Sequence, residues 1–175
     1  IWLHTSGSTP LEAMAEYHQQ VGVLYPLQTF SKAKAIDFSS IPLYIEAGEG
    51  ETLSQLTQLA ESLSHEVHVA TSAQRAILHV AAVFACNFSN HLVALAEELL
   101  ASHDLPQKAL LPLLSETLEK LYTLPASEAQ TGPAVRGDRQ TLERHLCLLQ
   151  GRPELESLYR LLSEQIQSRS KLLHP

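Results

Sequence analysis

Cysteine, glycine and cationic side chains are all scarce in this 175-residue chain, and each scarcity removes a class of function. Two cysteines, Cys86 and Cys147, stand far apart without a CxxC pair or metal-type spacing, which excludes a disulfide scaffold and a cysteine-based zinc site. Both lie inside apolar helical patterns, where they are expected as buried, reduced packing residues. The 7 glycines are too scattered for a phosphate-cradling loop. "EAGEGET" offers Gly48 and Gly50 but neither GxGxxG nor the Walker spacing. "HEVH" at 65–68 is one residue short of HExxH and sits in a strand-like run, so no metal site is expected. "TSGST" at 5–9 lacks the GxSxG elbow of a serine hydrolase. With 12 Lys and Arg against 19 Asp and Glu, the chain has no basic face for nucleic acid, although a compact anionic ligand stays within reach. No apolar run reaches the ~18 residues of a membrane span, and no basic segment leads into a cleavable apolar one. The expectation is a cytoplasmic protein without a membrane partner.

What is present is enough apolar residue, 45%, to build a core. Residues 1–71 alternate short apolar runs with amphipathic ones: "IWLH", "PLEAMAEYHQQ", "VGVLYPL", "IPLYIEAG", "ETLSQLTQLAESL" and "EVHVA". Strands alternating with helices predict an α/β unit. Pro10 suits the first turn of the first helix with Thr9 as its cap, and Glu51 or Thr52 opens the second. From Ser72 the pattern becomes purely helical. "SAQRAILHVAAVFACNFSNHLVALAEELLASHDL", free of Gly and Pro, holds a helical rhythm for about 28 residues, or ~40 Å of helix. Pro112 then either kinks a helix or opens it, Gly151 ends another, and Pro153 opens the last. The reading is α/β followed by all-α, with domains at 1–71 and 72–175. Because it begins at Ile1 and runs at once into a strand, the chain reads as the C-terminal part of something longer.

Two segments carry candidate chemistry. At 100° per residue, His79, Val83, Cys86 and Asn90 fall within about 40° of one another, with Asn87 on the flank. An imidazole and two carboxamides thus interrupt an apolar face, as a core polar network or as a seam facing a ligand. The second segment is "TGPAVRGD", 131–138, where the basic residues begin to outnumber the acidic ones. Gly132 and Pro133 make a turn, Gly137 permits positive φ, and Asp138 caps a helix from Arg139. Arg136 is then left to pair with a neighbouring acid or to grip a carboxylate or phosphate.

"HTSGS" (4–8), "YPLQTFS" (25–31), "IEAG" (45–48), "RAILHVAAVFACNFSNHL" (75–92), "PLLSETLEKL" (112–121) and "TGPAVRGDRQTLERHL" (131–146) together resemble a bacterial family of uncharacterised proteins. In that family a Rossmann-like NAD(P)-binding domain precedes a helical domain of unknown function. At fold level it is similar to pyrroline-5-carboxylate reductase and to the 6-phosphogluconate and 3-hydroxyacid dehydrogenases. The resemblance implies that residues 1–71 end a Rossmann-like sheet and that 72–175 form a helical substrate and dimerisation domain like the C-terminal domain of 6-phosphogluconate dehydrogenase. It implies NADP or NAD as cofactor, although the glycine-rich fingerprint is absent from these residues. His4, Ser6 and Gly7 would then lie near the nicotinamide, and Pro26, Gln28 and Thr29 would line the cleft. His79, Asn87 and Asn90 would orient the reacting carbonyl or imine. Thr131, Gly132, Arg136 and Asp138 would bind an anionic part of a small hydroxy, amino, carbonyl or imine substrate, from the same or a partner subunit of a homodimer. In 3-hydroxyacid dehydrogenases a lysine stands three residues before the helix asparagine. Here that position is Asn87, which leaves His79, His4 or water to move the proton. The rival expectation is a non-catalytic module that keeps the fold for dimerisation or for sensing a small anion.

Overall fold

The computed structural model describes residues 1–48 and 50–173 and divides into two compact units, 1–105 and 106–175. The change from strands to helices comes at Thr71/Ser72, as the sequence pattern has it, but the long helix that follows stays with the sheet in the first unit. Glu49, His174 and Pro175, which the expected domains include, lie outside the described residues.

Four strands form one mixed sheet in the order β1 (Trp2–His4), β2 (Val21–Pro26), β3 (Leu43–Ala47), β4 (Val67–Val69). β1 and β2 are parallel, as are β3 and β4, whereas β2 and β3 pair antiparallel with Tyr25 opposite Tyr44 and Val23 opposite Glu46. The reason lies in the connections. A helix, α2 (Gly50–Leu63), carries the chain from β3 back to start β4 in the same direction, while β2 and β3 are joined by a loop with only a 3-10 turn, Phe38–Ser40. Without a crossover helix the returning strand runs antiparallel.

Alternation along the strands gives the sheet two different faces. One carries Leu43 and Ile45, which cluster with Ile41 and with Leu56 and Ala60 of α2; Leu3, Leu24 and Val67 pack at the margin. Burying each large side chain there contributes roughly 1.5–3 kcal/mol. The other face carries His4, Val23, Tyr25, Tyr44 and Glu46, a polar set, and it meets the long helix.

The first expected helix is far shorter than its pattern. α1 spans Glu12–Ala15, and Leu11, not Thr9, stands at its N-cap. Thr9 is drawn off into the preceding turn, where its hydroxyl donates to Ser6 Oγ at 2.8 Å. The long helix is continuous over Ser72–Ala101, as α3 (Ser72–Ala82), a π-helical segment Val83–Phe88, and α4 (Ser89–Ala101). Its start is set by a capping box: Gln74 N–H donates to Thr71 Oγ1 at 3.2 Å, and Thr71 N–H donates to Gln74 Oε1 at 2.9 Å.

Two expectations fail on this helix. In the π-helical segment each N–H reaches back five residues, so a constant 100° per residue does not hold through it and the aligned stripe from His79 to Asn90 is broken. Cys86 lies in that segment and is exposed; Cys147 is exposed as well, so neither is a buried packing residue. The membrane expectation also changes. Residues 76–96 hold no Asp, Glu, Lys or Arg, and by length and composition alone Ser72–Ala101 is long and apolar enough to cross a membrane. A strict search for apolar residues misses this because His79, Asn87, Asn90 and His91 interrupt the run without charging it.

The second unit is helical: α5 (Leu111–Leu121), α6 (Ala126–Ala129), α7 (Arg139–Leu148) and α8 (Pro153–Leu173). Pro112 lies in the first turn of α5 and Pro153 opens α8, where a missing N–H costs nothing. Between α7 and α8, Gly151 takes φ +85°. His145 Nδ1 and the Tyr159 hydroxyl are 2.7 Å apart and tie the two helices together.

Candidate functional site

Because β1 and β2 are parallel, the loops that leave His4 and Pro26 emerge at the same edge of the sheet. In open α/β sheets that carboxyl edge is where ligands bind. Tyr25, buried near the end of β2, extends its hydroxyl to within 3.2 Å of His79 Nδ1 on α3, with the two rings edge to face at 6.1 Å. Burial pushes the Tyr25 phenol above its ordinary range, so it keeps its proton at neutral pH. Gly7 presses against the other partner. A methyl group there would sit 2.7 Å from His79 Nδ1 and 2.8 Å from Cγ, a separation that real side chains do not reach.

Behind this pair lies a polar cluster. The Arg75 guanidinium, 1% exposed, donates through Nε to the Ser6 carbonyl at 3.1 Å and through its terminal nitrogens to the Thr9 carbonyl and to Glu46 Oε2. Glu46 also accepts from the Ser72 amide at 2.7 Å and from the Ser72 hydroxyl at 2.8 Å. Burial alone would push the Glu46 carboxyl up. The hydrogen bonds from Ser72 and Arg75, with the Arg75 charge, overcome this and hold it below the ordinary carboxylate range.

His4 belongs to the same loop. Burial lowers its pKa first, the nearby Arg75 charge lowers it further, and the Pro10 carbonyl and Glu46 pull weakly the other way, so its ring is neutral at pH 7. Nδ1 accepts from Ser6 N–H at 3.2 Å, which puts the proton on Nε2. That nitrogen is buried, with no hydrogen-bond partner of good geometry among the described residues. Ser6 Oγ receives the Thr9 amide at 3.0 Å and the Thr9 hydroxyl at 2.8 Å, which closes the turn.

The predicted residues therefore separate into groups. Gly7 and His79 touch, and Ser6 and His4 brace the loop that brings Gly7 there. Pro26 ends β2 beside Tyr25; Gln28 and Thr29 follow on an exposed loop, closed by Thr29 N–H donating to Gln28 Oε1 at 2.9 Å. Asn87 and Asn90 are exposed further along the helix, ~12 and ~16 Å beyond His79 at the usual rise.

In the second unit, Gly132 and Gly137 take φ +113° and +65°, which accounts for both glycines by backbone geometry. Thr131 and Arg136 are exposed. Asp138 caps α7, accepting from the Thr141 hydroxyl at 2.7 Å and the Thr141 amide at 3.1 Å. Those two bonds hold its carboxyl low, and the charges of Arg136 and Arg144 add to the effect.

Sequence reasoning passed over Tyr25, Glu46, Ser72 and Arg75. A signal for the ion pair was present. Glu46 is the one acid in the strand "LYIEA" and Arg75 the one cation in "SAQRAILHVAA", and a lone charge in an apolar element needs a partner.

A family model described as "Domain of unknown function (DUF2520)" matches residues 41–166. No curated protein matches the chain. Among solved structures, the chain is similar to the putative NADP oxidoreductase BF3122 from Bacteroides fragilis, with TM-score 0.91 and 45% identity over 95% of this chain and 64% of that one. It thus spans 64% of the length of that protein. Protein TM1727 from Thermotoga maritima shares the fold, with TM-score 0.79 and 21% identity over 99% of this chain and 70% of that one.

Proposed function

The chain belongs to the family described as a domain of unknown function (DUF2520), and from that premise we propose that it acts in an NAD(P)-dependent oxidoreductase for a small anionic carbonyl, imine, hydroxy or amino substrate in the cytoplasm. The observation that carries the reading is the Tyr25–His79 hydrogen bond, held against Gly7 at the carboxyl edge of β1 and β2. Support for NADP comes from the likeness to the Bacteroides fragilis protein.

The residues present fit one end of such a cofactor. The space beside Gly7 is filled by the His79 ring, so this glycine serves a close approach inside the protein and is not an open cradle for a pyrophosphate. Ser6, Pro26, Gln28 and Thr29 are the residues that would stand along a nicotinamide at the sheet edge. When bound, a nicotinamide supplies or takes the hydride. Tyr25 holds a proton on its hydroxyl within 3.2 Å of His79 Nδ1, so the pair can move a proton to or from a substrate oxygen or nitrogen. In the second unit, taken by itself, the exposed Arg136 is the proposed holder of a small anionic group.

NADPH titrated into the full-length protein, followed by its fluorescence or by calorimetry, is expected to bind saturably. His79→Ala is expected to keep that binding and to lower turnover by roughly 10²–10⁴-fold. Absence of NADPH binding to the full-length protein overturns the reading and leaves the non-catalytic module.

The proposed partner is a second copy of the chain. Ile77, Val80, Phe84, Phe88 and Leu92 are exposed on the long helix, with Ile77 72% and Phe84 65% accessible. The Phe84 and Phe88 rings pack edge to face at 5.0 Å and both remain exposed. Exposed apolar side chains in this number support an interface. Sedimentation is expected to show a dimer that Phe84→Asp dissociates; a wild-type monomer at micromolar concentration refutes this.

A further inference from the structure

Arg75 is a buried cation that the proposed proton transfer does not use, and its contacts single out one loop. A single guanidinium holds the carbonyls of Ser6 and Thr9, which lie on either side of Gly7 in the sequence. The same side chain is anchored to β3 through Glu46, and Glu46 is anchored to the first turn of α3 through both the amide and the hydroxyl of Ser72. Ser72 Oγ in turn accepts from the Leu11 amide at 3.0 Å, which fixes the far end of the loop. Arg75 and His79 are one helical turn apart, on the same side of α3.

From this geometry we infer that Arg75, with Glu46 and Ser72, is a positioning device that sets the distance between the Gly7 loop and the His79 ring and so holds His79 on Tyr25. The inference deepens the oxidoreductase reading and rests on it for its catalytic meaning, but the positioning itself can be observed without any cofactor. The clamp has four anchored points on three elements: the loop after β1, strand β3 and the start of α3. Gly7 has no side chain of its own with which to hold its place. Its close approach to His79 therefore depends on the two flanking carbonyls, and Arg75 is the group that grips both. Lysine, with a single compact ammonium, cannot span Ser6, Thr9 and Glu46 as a planar fork does.

The test uses the full-length protein with labelled histidine and glycine, the His79 signal being assigned from His79→Gln and the Gly7 signal from Gly7→Ala. Arg75→Lys is expected to shift or broaden the His79 imidazole signal and the Gly7 amide signal, and to lower turnover at saturating NADPH by roughly tenfold while keeping NADPH binding. Ser72→Ala, which removes only the hydroxyl contacts and keeps the ion pair, is expected to shift the same two signals by a smaller amount. It also serves as the measurement should Arg75→Lys fail to fold. Unchanged His79 and Gly7 signals in a folded Arg75→Lys or Ser72→Ala protein overturn the positioning role. If wild-type protein binds no NADPH while the signals move as expected, the oxidoreductase reading fails and the clamp stands.

Discussion

Arg75→Met is expected to destabilise the sheet unit by about 3–5 kcal/mol, because it strands a carboxylate in the interior. Glu46 loses its cation while its surroundings stay as they were, and the carbonyls of Ser6 and Thr9 lose their donors. Methionine restores apolar bulk but no hydrogen bond, so the deficit measures unpaired polar groups rather than a cavity. Denaturant unfolding of the variant beside wild type checks the magnitude, and a loss under about 1 kcal/mol would place the pair among weak surface bridges instead.

The pH dependence supplies a sharper check. In wild type the Glu46 carboxyl is held below its ordinary 4.5, so its contribution is fully present above that value and is lost as the pH falls through the folded-state pKa. Stability should therefore decline on acidification below about pH 4.5, and Glu46→Gln should flatten part of that decline. In Arg75→Met the carboxyl keeps its two hydrogen bonds from Ser72 but loses those of Arg75 and the charge, so it rises relative to wild type, and the deficit narrows as the pH falls and Glu46 takes up a proton. A deficit that stays constant between pH 7 and pH 4 sinks this account.

The second large effect belongs to Gly7→Ala. A methyl group on Gly7 overlaps the His79 ring at 2.7 and 2.8 Å and its Cβ at 2.9 Å, and a retreat of the side chain draws the ring from the Tyr25 hydroxyl. Overpacking of this kind costs about 1–3 kcal/mol. A displacement of ~1 Å at a reacting group lowers turnover by roughly 10²-fold. The cause is isolated by a double-mutant cycle. With His79 already replaced by alanine, Gly7→Ala should cost less than it does in wild type, since the ring atoms are gone and only Cβ, 2.9 Å from the added methyl, is left to strike. Equal costs in both backgrounds would show that Gly7 is needed for some other reason, and the loop would have to be reconsidered.

Local chemistry was readable without the fold. Asp138 at the N-cap of α7, Pro153 at the start of α8, Pro112 in the first turn of α5 and the positive φ of Gly137 all follow from rules that act within a few residues. The same locality misled where a neighbour competed. Thr9 had the right chemistry to cap a helix, yet Ser6 was three residues away and took its hydroxyl. Cys86 and the two asparagines were aligned by a constant helical rotation that a π-helical turn does not keep.

His4, Ser6 and Gly7 came from the family resemblance and His79 from its place on an apolar helix face, but Tyr25 meets His79 only because β1 and β2 run parallel and α3 crosses the polar face of the sheet. Arg75 could be seen to need a partner, while nothing local says that the partner is Glu46, 29 positions away.

The sequence by itself determined the start of α7 and of α8, that strands precede a long helix, and which residues carry reactive groups, because capping, proline and hydrophobic period are short-range effects. Only the tertiary structure decided which of those groups meet. β2 and β3 turn antiparallel for lack of a crossover helix, the polar sheet face thereby falls under α3, and a buried guanidinium finds its carboxylate, its two carbonyls and its place beside Gly7. These are long-range pairings, fixed by the cost of burying charge unpaired, and that cost arises only once the chain has closed around it.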